Sequence, residues 1–67
     1  MIFDDVPAED LQPGDIVELS HNYGSDIIRL TSVQHRTGGI KLTGRTENQA
    51  GWSWGMEYGR LARRARP

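Results

Sequence analysis

At every second position from Trp52 to Tyr58 the chain sets a large apolar or aromatic side chain: Trp52, Trp54, Met56 and Tyr58, separated by Ser53, Gly55 and Glu57. Side chains spaced this way share one face of an extended strand. Indole, thioether and phenol groups together make the kind of amphipathic surface enriched at binding hot spots. The inner face of a small core would read the same way, because large aromatics are buried on average, and the two readings stand side by side. Tyr23 lies in a polar run, and if Trp52 is exposed at its strand start the two rings form a cleft with Asp26 or Glu47 at its rim. Such a cleft suits a proline-rich peptide or a cation. Gly51 and Gly55 leave the opposite face thin enough for another backbone to approach. The partner-binding set is therefore Tyr23, Trp52, Trp54 and Tyr58.

A second chemical group is cationic. Arg45, Arg60, Arg63, Arg64 and Arg66 could grip phosphates, and with Arg29, Arg36 and Lys41 they could frame a nucleic-acid path, RNA or single-stranded DNA, beside stacking rings. Against this stands an isoelectric point near 6.0, since domains that bind nucleic acid mainly by charge sit above roughly 9. The charges are also sorted: every carboxylate from Asp4 to Asp26 precedes the first base, Arg29, and only Glu47 and Glu57 follow it. An acidic first strand lying beside a basic last one accounts for the sorting, and a polarised surface is the alternative.

Catalytic and metal chemistry find little support. Ser20-His21 and Ser25-Asp26 are adjacent pairs, and neighbours along a strand point to opposite faces, so neither begins a triad. Two histidines, no cysteine and no calcium-loop pattern argue against metal, and there is no Walker or dinucleotide fingerprint. The expectation is a non-enzymatic module without cofactor.

Positioning these residues falls to short strands and turns. Pro13-Gly14 has the residues of a type II turn. Asp15 to Ser20 follows as a strand with Val17 and Leu19 on one face, while Pro7 to Leu11 allows a single helical turn. His21 to Asp26 reads as a polar loop and Ile27 to Arg36 as the longest strand. Thr37-Gly38-Gly39 then makes a hairpin into Ile40 to Thr46. Ile28 and Leu30 share a phase that Val33 does not, which predicts a bulge or bend near Thr31-Ser32. Glu47 to Gly51 is a further turn, Trp52 to Tyr58 the next strand, and Gly59 breaks it. Arg60 to Pro67 is an edge strand or basic tail anchored by Leu61, frayed from residue 62 onward in the second case. Five strands predict an all-β fold, either a small SH3-like barrel or a strongly bent antiparallel sheet, since closure removes exposed edges.

Asp10-Leu11-Gln12-Pro13-Gly14-Asp15-Ile16-Val17-Glu18-Leu19, followed by a loop, a long strand and a Gly-hinged hairpin, resembles the opening of SH3-like barrels, translation-factor and KOW-type modules among them. The resemblance implies that loops at one barrel end and nearby aromatics engage RNA, peptides or proteins. Tyr23 and the Trp52 to Tyr58 strand are the matching residues here.

Sixty-seven residues, 36% of them hydrophobic and none a cysteine, permit one domain with a small core and no disulfide. A cytoplasmic setting fits, with no leader-like start and no membrane span. Arginine far outnumbers lysine, as GC-rich coding in a bacterium or its phage would produce. A protein or peptide is the leading partner, nucleic acid the runner-up, and self-association through the aromatic strand the third course.

Overall fold

The computed structural model describes every residue from Met1 to Pro67. Six strands form: β1 (Phe3–Pro7), β2 (Ile16–His21), β3 (Gly24–Arg36), β4 (Gly39–Thr46), β5 (Gly51–Met56) and β6 (Leu61–Ala65), with a 3₁₀ turn at Ala8–Asp10. The chain is all-β, and every pairing is antiparallel, in the order β1-β6-β2-β3-β4-β5. No helix is long and apolar enough to cross a membrane.

The sheet does not close, so of the two expected forms it is the antiparallel sheet and not a closed barrel, with six strands in place of five. β1 and β5 are both edges. The additional strand is Phe3-Asp4-Asp5-Val6-Pro7, whose two carboxylates and proline hide it from a hydrophobic pattern and whose one partner is β6. The sheet is nevertheless curled. β5 and β6 stand four strand positions apart, roughly 19 Å in a flat sheet, yet Trp54 and Met56 of β5 line one groove with Leu61 and Ala62 of β6.

β6 is also not the edge strand or frayed tail expected of the C-terminal residues. It lies inside the sheet, paired along its length with β1 and through Arg63 and Arg64 with Glu18 and Val17 of β2. Arg66 continues the ladder by donating its N–H to Ile2 O at 2.9 Å. Leu61 does not anchor it, being 59% exposed. Ala62 packs on the core instead.

Bending is concentrated in β3. Leu30 faces Gly44 and Ser32 faces Thr43, so Thr31 is the extra residue of a bulge, at the predicted place, and its hydroxyl donates to Thr43 O. The bulge reverses the phase of the strand, which is why Ile28, Leu30 and Val33 all reach the same core. Opposite it, a Cβ on Gly44 would come within 2.5 Å of Arg29 O and of Ile28 Cγ2. Only glycine lets β4 lie this close to β3.

The core is small: Ala8, Leu11, Val17, Ile28, Leu30, Ile40 and Leu42 are buried, and Val6, Leu19, Val33, Trp52, Trp54, Met56 and Ala62 pack partly buried around them. The stretch His21 to Asp26 is not a loop. His21 pairs with Gly24 across a two-residue turn, Asn22-Tyr23, and Ser25 and Asp26 are already in β3.

Candidate functional site

The β2–β3 turn and the start of β5 meet at one end of the sheet, and their aromatic groups make a short ladder. The His21 ring stacks on Trp52, centroids 5.3 Å apart and planes 22° from parallel. Tyr23 lies tilted against His21 at 6.4 Å and 55°. Trp52 reaches the ladder because it faces Gly44 across the strand pair, where no side chain competes for space, and because the inward phase of β5 turns it to the core side. Tyr23 is 97% exposed, since a two-residue turn leaves its central side chains nowhere to pack.

His21 is fixed through both nitrogens. Nδ1 accepts the Tyr23 backbone N–H at 3.2 Å, so in the neutral ring the proton sits on Nε2, which donates to Asp26 Oδ2 at 2.8 Å. The side chains of His21 and Asp26 are 26% and 39% exposed, and the pair ties the ladder to β3. From the sequence His21 stands out only as the neighbour of Ser20 and the start of a polar run. The signal that could have found it is the spacing: a two-residue turn at Asn22-Tyr23 pairs His21 with Gly24 and sets Asp26 two residues further along the facing strand, on the same side of the sheet as His21.

The proposed four aromatics are thus divided. Tyr23 and Trp52 belong to the ladder, with Asp26 at its side. Trp54 faces Leu42 in the interior and packs on the core. Tyr58 lies beyond the end of β5, where the chain has turned away: Arg60 N–H donates to Glu57 O, and Gly59 takes φ 82°. Its ring, 46% exposed, stacks on His35 at 6.2 Å and its hydroxyl donates to Arg36 O. The stripe is therefore neither all core nor all surface.

The arginines are spent or dispersed. Arg63 Nε bonds Glu18 at 2.9 Å and its guanidinium lies 5.6 Å from the centre of the Phe3 ring. Arg64 reaches Asp15 at 3.8 Å. Arg66 forks onto Asp4 at 2.6 and 3.0 Å, and these hydrogen bonds hold the Asp4 carboxyl below its ordinary value and raise Arg66. The sorted charges thus meet in space, with β1 carboxylates beside β6 bases. Arg60, exposed, follows the β5–β6 turn, and Arg45 stands exposed opposite Arg29 across β3 and β4. Three of the five arginines are thus engaged by carboxylates, and Arg45 and Arg60 are exposed on separate elements.

At the other end, Glu9 accepts the Gly59 N–H at 2.8 Å, which lowers its carboxyl below the usual range. This contact pins the 3₁₀ turn to the β5–β6 turn, as does Ala8 N–H donating to Arg60 O. No group of three or more histidine, cysteine, aspartate or glutamate residues is placed to hold a metal ion.

No protein-family model, curated protein or solved structure matches the chain.

Proposed function

We propose that the chain is a non-enzymatic interaction module that takes a protein or peptide segment on the Tyr23–His21–Trp52 ladder. The observation that carries this reading is the exposure of Tyr23 on a turn whose neighbour, His21, is held by three contacts. A large ring presented on a rigid mount gives contact area at little cost in conformational entropy. The chemistry that suits it is an extended segment containing proline, whose ring stacks on the phenol while the backbone bonds to the turn. Nucleic acid is the runner-up, and it gains less support. Arg63, Arg64 and Arg66 already hold Glu18, Asp15 and Asp4, and a phosphate chain would have to displace those carboxylates.

Titration with a proline-rich decapeptide and, separately, with a thymidine 15-mer tests the reading through the Trp52 indole N–H signal and the amide signals of residues 21 to 26. The expected result is saturable shifts with the peptide, little affected by salt and lost in Tyr23→Ala. Shifts with the oligonucleotide alone, falling steeply with salt, would replace this reading by the nucleic-acid one.

A further inference from the structure

The two edges of the sheet are unlike. β1 is guarded by Asp4, Asp5 and Pro7, which are charges and a missing donor of the kind that discourages pairing. β5, Gly51-Trp52-Ser53-Trp54-Gly55-Met56, carries no charge and no proline. Thr46 N–H donates to Ala50 O at 3.0 Å, and the antiparallel alternation that follows turns the backbone of Trp52, Trp54 and Met56 toward β4. The N–H and C=O groups of Gly51, Ser53 and Gly55 are left facing outward along the free edge. Their side chains are the smallest possible and exposed. The same edge borders the seam groove, about 520 Å³, lined by Leu19, Trp54, Met56 and Leu61 together with Glu18, Glu57 and Arg63.

We infer that this edge pairs with β5 of a second copy of the chain, antiparallel about a two-fold axis that passes by Ser53. In this register Ser53 faces Ser53 and Gly51 faces Gly55, so every outward N–H and C=O of the edge finds a partner. Trp52 then lies opposite Trp54 of the other copy on the concave side, in the closer, non-hydrogen-bonded type of pair. A register displaced by one residue would set tryptophan against the convex face instead. The occupant is a second copy because the strand is self-complementary: it is uncharged, so like meets like without repulsion, and the half-buried Trp52, Trp54 and Met56 of each copy cover those of the other. An isologous contact of this kind closes at two.

Sedimentation equilibrium of the full chain across micromolar to millimolar concentration reads the association directly. Wild type should be a dimer at the upper end. Ser53→Pro removes an outward donor while keeping the backbone bonds to β4, and Ser53→Glu keeps every backbone donor but sets two carboxylates face to face; both lose the long hydroxyl contact with Thr43, so its loss alone does not distinguish them. Each should weaken association at least tenfold while circular dichroism shows the same fold. A wild type that stays monomeric throughout, including one that instead takes up an unrelated strand-forming peptide, overturns the inference. So does a dimer that neither variant weakens.

Discussion

His21 lies with its imidazole on the Trp52 indole while its two nitrogens are bonded to Asp26 and to the backbone of Tyr23. One ring therefore joins β2, β3, β5 and the turn that presents Tyr23. Because Nδ1 accepts, the neutral ring must be the Nε2–H tautomer. Long-range nitrogen–proton correlation spectra should show that tautomer for His21, and Asp26→Ala should relax the preference. A dominant Nδ1–H form in the wild type would contradict the arrangement.

Tyr23 and Trp52 should separate binding from folding. Tyr23→Ala removes a side chain that is 97% exposed and leans only on the His21 ring, so stability should stay within about 0.5 kcal/mol while peptide binding disappears. Trp52→Ala opens a gap beside Gly44 and His21 and should cost about 2 kcal/mol or more. Urea unfolding of both variants checks the contrast; equal losses would mean that Tyr23 is structural.

Gly44→Ala should be the most damaging small change. Its methyl would meet Arg29 O and Ile28 Cγ2 at 2.5 Å, one of them backbone that cannot step aside, at a cost of about 3 kcal/mol. Gly51→Ala, with nothing near, should be close to neutral in the same unfolding experiment.

Asp4 and Glu9 set the acid limb of stability. Their ordinary values are 3.8 and 4.5, and in the fold both are lower, through hydrogen bonds from Arg66 and from the Gly59 N–H. The unfolded chain thus binds protons first as the pH drops. The stabilisation is complete above the ordinary values and is lost as pH falls through the depressed ones. In urea titrations between about pH 6 and pH 2, the Asp4→Asn, Glu9→Gln double variant should lose less stability than wild type. Parallel curves would remove these two groups from the account.

Gln49 occupies the left-handed region, φ 68°, at the tip of the β4–β5 hairpin, where an L side chain costs about 1 kcal/mol. Gln49→Gly should therefore stabilise by about 0.5 kcal/mol, read as a higher urea midpoint at unchanged slope. A lower midpoint would show that the side chain contributes more than its backbone costs.

Much of the hairpin architecture was legible because it is written in local chemistry. Pro13-Gly14, the Gly38 turn, the alternation from Ile40 to Arg45 and the phase change between Leu30 and Val33 each name a turn, strand or bulge without help from distant residues. β1 and the true place of β6 were not legible, since each becomes a strand only against the other, across almost the whole chain. At the ladder, Tyr23, Trp52 and Asp26 were named, whereas His21 was missed because taking residues 21 to 26 as a loop concealed the cross-strand pairing. Tyr58 was assigned to the stripe by period alone, and the Gly59 turn carried it elsewhere.

The placement of β6 between β1 and β2 has a consequence for how the protein comes off the ribosome. β1 has no partner until Leu61–Ala65 has been made, so Phe3–Pro7 waits through the synthesis of the intervening residues, for several seconds at roughly 5 to 20 residues per second. Through that interval the nascent chain can begin the hairpins that follow β1 but cannot pair β1 itself. β5 and β6 are separated by only four residues, so the two leave the exit tunnel almost together. Synonymous codons that slow translation just before residue 61 would lengthen the wait of β1 without altering the finished molecule.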